Sequence, residues 1–149
     1  MSDTRIAVVT GASRGIGEAT AVELARRGND VALVARDQTA LARISIAIES
    51  LGRQALAITG DLHDLEFAEN VIKQTVDRFA QNDVLVNNAA WRELVTMRHI
   101  LLESWELTLR ICLTTSAFMA RWAAPSMEQR HRGVIINVAS MMSRQTGRV

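Results

Sequence analysis

An apolar run that breaks into three closely spaced glycines constrains this chain more than any other feature. Residues 6–17 read IAVVTGASRGIG, with glycine at Gly11, Gly15 and Gly17. Buried parallel strands read as continuous Val/Ile runs, and residues 6–9 form one; helix-forming residues resume at Glu18 and continue to Arg27. A strand that turns through glycines into a helix is half of a βαβ unit. Gly11 suits the positive φ of a tight turn, Gly15 leaves the backbone open to a phosphate, and Gly17 permits close packing of helix on sheet. The N–H groups at the start of such a helix have no partner within it and face any anion placed there. Taken alone, the same glycines are equally well plain loop chemistry.

The rest of the chain supplies the context. Apolar runs at 31–34, 54–58, 84–86 and 134–138 read as four further strands. Between them, helical spacing runs over 40–51 (Leu41, Ile44, Ile48, Leu51), 65–80 (Ala68, Ile72, Val76, Phe79) and 102–122. The last of these carries two apolar stripes: Trp105, Leu109, Cys112 and Met119 on one side, Leu107, Ile111, Phe118 and Trp122 on the other. A helix apolar most of the way round is expected to be buried on more than one side. Strands alternating with helices, with no repeat or linker, predict one α/β domain over residues 1–149 with a doubly wound parallel sheet. Right-handed crossovers, with the chain reversing direction after the third strand, give the order 3-2-1-4-5. The switch point then lies between strands one and four, so the Gly11 turn and the Asn87 loop meet in one crevice.

Composition narrows the function classes. Lys+Arg 17 against Asp+Glu 16 leaves a formal net charge of +1, which offers no electrostatic footprint for nucleic acid or an anionic membrane. No apolar run approaches the ~20 residues of a spanning helix, and the N-terminal residues enter a strand without the pattern of a signal peptide. A cytoplasmic location is the default expectation. The single cysteine, Cys112, can form no internal disulfide, and its place in an apolar helical pattern predicts a core thiol; no metal site is expected.

Thr10 followed by Gly11, Gly15 and Gly17 makes a TGxxxGxG turn, Asp61-Leu62 follow the third strand, Asn87-Asn88-Ala89 the fourth, and GVIINVAS ends at Ser140. Together these resemble the short-chain dehydrogenase/reductase family in its classical form, over the N-terminal portion of a usual member. The resemblance implies a Rossmann-like nicotinamide-dinucleotide domain. Thr10, Gly11, Ser13, Arg14, Gly15, Ile16 and Gly17 would form the turn that holds the ribose phosphate and pyrophosphate. Asp61 would accept a hydrogen bond from the adenine amino group with Leu62 beside it, and Asn88 and Ala89 would line the cofactor, with Asn87 buried. Without the family, Asp61 is equally a helix N-cap. Ala90 stands where the family has glycine.

Cofactor choice turns on the residue after the second strand. An acidic residue there binds the ribose 2′-hydroxyl of NAD, whereas this chain has Ala35 followed by Arg36, and an Arg accommodates the 2′-phosphate. NADP is therefore expected over NAD. Arg36 could also be a solvated strand-end charge, and Asp37 beside it tempers the argument. Arg14 supports it, because a guanidinium beside a phosphate gains charge-assisted hydrogen bonds.

The catalytic side is incomplete in these residues. By resemblance Ser140 is the catalytic serine, though a strand-end serine capping a turn is the simpler reading. Counting from Trp105, the family's relay asparagine falls on Cys112, and a thiol is a weak hydrogen-bonding group. The family's tyrosine and lysine would lie beyond Ser140, and the chain contains no tyrosine at all. The resemblance thus implies an NADP-dependent oxidoreductase portion that moves hydride between nicotinamide and a carbonyl or alcohol, inactive by itself; the alternatives are a non-catalytic dinucleotide-binding or assembly module, or a shortened product without independent function. Trp91 and Arg92 are the candidates near a small-molecule substrate. The doubly apolar helix predicts a homo-oligomer or self-association.

Overall fold

The computed structural model describes residues 4–140. Five strands form one parallel sheet in the order β3-β2-β1-β4-β5: β1 Ile6–Thr10, β2 Asp30–Ala35, β3 Ala55–Thr59, β4 Val84–Asn87 and β5 Val134–Asn137. This is the order expected from the sequence. β1 is central and wholly buried, and the alternation of its side chains separates two cores. Ala7 and Val9 face α1 (Gly15–Arg26) and α2 (Gln38–Glu49), packing with Ala21, Ala25, Leu41, Ile44 and Ile48. Val8 points the other way, into Ala68, Val71 and Ile72 of α3 (Leu65–Phe79) and into Met119, Ala123 and Met127. Helices on both faces are what a sheet of continuous Val/Ile runs requires, since neither face can meet water.

The N-terminal edge of the sheet is closed by acids. Asp83 Oδ2 accepts from the Ile6 N–H at 2.9 Å, and its Oδ1 accepts from Arg132 Nε at 3.0 Å. Asp30 Oδ1 accepts from Arg53 and from the Gln54 N–H at 2.8 Å. Both carboxylates are buried, and each is paired, as a buried charge must be.

The helix expected over 102–122 differs in two ways. It continues to Gln129, and it is not regular: α4 (Leu102–Leu109) passes through a π-helical turn, Arg110–Thr115, into α5 (Ser116–Gln129). A π turn holds an extra residue, so positions before and after it no longer share a face. The stripe Trp105, Leu109, Cys112 and Met119 is therefore broken: Met119 is buried while the other three are exposed. Cys112 is not a core thiol. The second stripe fares similarly, with Phe118 exposed and its ring 5.6 Å from that of the half-buried Trp122. Among the described residues no helix is long and apolar enough to cross a membrane.

β5 lies at the sheet edge, and its apolar side chains are open: Val134 is 46% exposed, Ile135 39% and Ile136 44%. Leu113, at 64%, adds to the uncovered surface. An apolar edge strand is a template for pairing with another chain, and covering what remains exposed of each such side chain is worth roughly 0.5–1.5 kcal/mol. Sedimentation of the purified 149-residue chain is accordingly expected to show self-association, with a melting temperature that depends on concentration. A monodisperse monomer with a concentration-independent transition would overturn this.

Candidate functional site

The chain leaves β1 toward β2 on one side and β4 toward β5 on the other, so a crevice opens beyond the C-terminal ends of β1 and β4. Thr10 determines its floor. The side chain is 2% exposed, and its hydroxyl donates to the Val86 carbonyl at 3.3 Å while accepting the N–H groups of Asn88 and Ala89, both at 2.9 Å. Asn88 answers with its amide, donating to the carbonyls of Thr10 at 3.0 Å and Gly11 at 3.2 Å. Gly11 has φ +63°, and a Cβ there would lie 2.9 Å from both Ala89 Cα and Asn88 Nδ2. A Cβ on Gly17 would collide with the Gly11 carbonyl and come within 2.6 Å of Asn88 Nδ2. Glycine is required at both positions by contact, beyond any turn preference.

Above this floor is a cleft of about 420 Å³, within the range of small-molecule sites. Ten of the twelve residues expected to bind cofactor line it: Gly11, Ser13, Arg14, Gly15 and Ile16 from the turn, Arg36 after β2, Asp61 and Leu62 after β3, and Asn88 and Ala89 after β4. Thr10 and Gly17 do not line it; they build the floor from beneath. Trp91 and Ile111 complete the wall, together with Ala35, Gly60 and Ala90. Ile111 was not foreseen, because it sits in the π turn, whose irregularity leaves no trace in an apolar pattern.

The helices that follow the first three strands differ in how they begin. Asp37 caps α2 by accepting the Ala40 N–H at 2.9 Å, and Asp64 caps α3 by accepting the Glu66 N–H at 2.9 Å. No side chain caps α1, whose first turn abuts the cleft at Gly15 and Ile16. Gly15 has nothing within 4 Å of a notional Cβ, so the approach to those N–H groups is open. Among the described residues neither Arg14 nor Arg36 is paired with a carboxylate, and both are exposed at the cleft. Glu18, in the first turn of α1, is held by the Arg43 guanidinium at 2.7 and 3.0 Å. That hydrogen bond, with a smaller Coulombic contribution, keeps its carboxyl below the ordinary range.

The cap assignments also show what Asp37 and Asp61 do in the fold. Asp37 is engaged by α2, and Asp64 rather than Asp61 caps α3. Asp61 instead accepts the His63 N–H on Oδ1 at 2.9 Å. Asn87 is buried, donating to the Ser116 carbonyl at 3.1 Å and to Asn137 Oδ1 at 2.9 Å. The two asparagines end adjacent strands in register, and an Asn closing an otherwise apolar strand was the available signal for such a pair. Ser140 follows β5, is exposed and does not line the cleft. Cys112 lies on a separate hollow of about 310 Å³ with Asn87 and Asn137, and its thiol donates to the Trp91 carbonyl at 3.5 Å.

The sequence profile of the family described as short chain dehydrogenase matches residues 5–149. An uncharacterized oxidoreductase of Thermotoga maritima is 34% identical over 146 residues, covering 98% of this chain and 57% of the relative. A crystal structure from Sinorhizobium meliloti 1021, of the short-chain alcohol dehydrogenase type, superposes with a TM-score of 0.90 at 34% identity, covering 99% of this chain and 58% of that one. The alcohol dehydrogenase of Thermococcus sibiricus, solved in complex with 5-hydroxy-NADP, gives a TM-score of 0.84 at 28% identity, covering 90% and 57% respectively. The chain thus spans a little over half the length of these proteins.

The Thr10 clamp makes a direct prediction. Thr10→Val keeps the shape but takes the acceptor from two half-buried N–H groups, at the lower part of the usual cost, about 1–2 kcal/mol each. Denaturant unfolding should show a loss of roughly 2–4 kcal/mol; a loss under about 0.5 kcal/mol, the scale of an ordinary surface change, would show that the floor does not depend on it.

Proposed function

The chain belongs to the short-chain dehydrogenase family, and from that premise we propose that it is the dinucleotide-holding part of an oxidoreductase that uses NADP(H). The observation that carries the reading is one cleft lined by an uncapped helix N-terminus, an open Gly15 and two guanidiniums that have no carboxylate partner among the described residues. Backbone N–H groups of α1 would take the pyrophosphate. Arg14 and Arg36 would take the 2′-phosphate, for which the apolar Ala35 leaves no carboxylate competitor at the end of β2. Asp61, with an acceptor-only carboxylate, would take the adenine amino group. Trp91 and Ile111 wall the cleft at the end of the Asn88-Ala89 loop. The bound nicotinamide would supply hydride transfer to or from a carbonyl or alcohol. The Thermococcus sibiricus complex with an NADP derivative supports this cofactor class.

A second reading, a module that binds dinucleotide without turning it over, is favoured by a specific set of residues. Ser140 does not line the cleft, and Cys112, at the position matched to the relay asparagine, is turned to the Trp91 carbonyl. The two readings share the nucleotide site and differ in turnover.

Titration of the 149-residue chain should show tighter binding of NADPH than of NADH. Arg36→Ala should remove about 1.5–3 kcal/mol of binding to the phosphorylated cofactor alone, the worth of a charged hydrogen bond. Superimposable curves for the two cofactors would refute the assignment. Losing a general acid typically lowers a rate by ~10²–10⁴, so no NADPH consumption with carbonyl substrates is expected from this chain by itself. Turnover abolished by Ser140→Ala would show that reading to be wrong.

A further inference from the structure

We infer that Thr115 is a positioning residue for the Asp61 carboxylate, acting through a single peptide unit and so setting which base the cleft accepts. The inference rests on the dinucleotide reading above. Thr115 closes the π turn, is 2% exposed, and donates its hydroxyl to the Leu62 carbonyl at 2.8 Å. The same peptide unit carries the His63 N–H, which donates to Asp61 Oδ1 at 2.9 Å. A peptide is planar, so fixing the direction of its oxygen fixes the direction of its hydrogen. The chain from Thr115 hydroxyl to Leu62 carbonyl, and from His63 N–H to Asp61 carboxylate, therefore runs from a buried helix residue to an exposed acid at the cleft.

Each link also polarises the next, because a carbonyl that accepts a hydrogen bond makes its own N–H a better donor. One oxygen of Asp61 is committed to this turn. The other, Oδ2, has no protein donor among the described residues, and Asp61 is relieved of helix capping by Asp64. An acceptor-only oxygen at this place favours a base with an exocyclic amino group over one with an oxo group, whose lone pairs it would oppose. Without Thr115, the Leu62 carbonyl loses its buried donor and the peptide is free to rotate, taking the carboxylate with it.

The test compares NADPH with its deaminated analogue, which carries hypoxanthine in place of adenine. The wild-type chain should prefer NADPH by about tenfold, the worth of one net hydrogen bond. Thr115→Val keeps the packing volume and should erase most of that preference by weakening NADPH while leaving the analogue unchanged; Thr115→Ser should restore it. If the valine variant does not melt cooperatively, Thr115→Cys, a weaker donor of similar size, should give an intermediate preference. Equal weakening of both dinucleotides, or an unchanged ratio in the variant, would mean that Thr115 is only structural and would overturn the inference. A wild-type chain that binds both equally would overturn the role of Asp61 together with it. One that binds neither would overturn the dinucleotide reading itself.

Discussion

Everything at the cleft depends on the Thr10 hydroxyl. The β1–β4 ladder ends at Val9 and Val86, and past that point the two strands lead into connections that depart in opposite directions. The backbone groups just beyond a ladder must find other partners, because partial burial limits their access to water. Thr10 supplies them, as a donor to the Val86 carbonyl near the end of β4 and an acceptor for two N–H groups of the loop after it. Asn88 closes the arrangement from the other side through the Thr10 and Gly11 carbonyls. The glycine turn is thus held open by hydrogen bonds made beneath it, and Gly17 lets α1 come down onto that turn without a Cβ in the way. Among the described residues no side chain caps the first turn of α1, which faces the cleft.

The charges are sorted by the same polarity. At the N-terminal end of the sheet, Asp30 and Asp83 are buried and spent on backbone N–H groups and on Arg53 and Arg132. At the C-terminal end, Asp37 and Asp64 are spent on helix caps. Among the described residues Arg14 and Arg36 are left exposed and without a carboxylate partner around an uncapped helix start. A surface guanidinium gains little from a solvated carboxylate partner, so their lack of one has a small effect on stability. It has a large effect on the potential of the cleft, where both cations act on an anion in the same direction.

The sheet was legible because buried parallel strands and their glycine exits are written in short local patterns. Residues 6–9, 31–34, 54–58, 84–86 and 134–138 all fall within or overlap observed strands, and the switch point follows from connection handedness alone. Of the ten expected residues that line the cleft, five come from the glycine turn, four from the Asp61-Leu62 and Asn88-Ala89 segments that resemble the family, and Arg36 from its place after the second strand. Thr10 was legible as a site residue, but the direction of its hydroxyl was not: residue type and position do not say which of several nearby partners a hydroxyl will choose. The helix after β4 failed for a different reason. Stripes drawn at a constant period across residues 102–122 assume constant winding, and one i→i+5 turn at Arg110–Thr115 rotates everything after it. Cys112 was assigned to the core on that assumption and is exposed.

That irregular turn also explains how one helix can serve two loops. A regular helix presents residues at fixed angles, and packing Met119, Ala123 and Met127 onto the sheet fixes the angle for all of α5. Thr115 is brought inward to reach Leu62 in the loop after β3, whereas Cys112, three residues earlier, reaches Trp91 in the loop after β4. Ile111 meanwhile contributes to the cleft wall itself. The widened turn sacrifices regular hydrogen-bond geometry over a few residues and gains contacts with both loops that border the cleft. The packing of α5 on the core and the shape of the cleft are therefore coupled through Arg110–Thr115. A change that restored regular winding there would rotate α4 relative to α5 and could not keep both loop contacts while Met119 stayed buried.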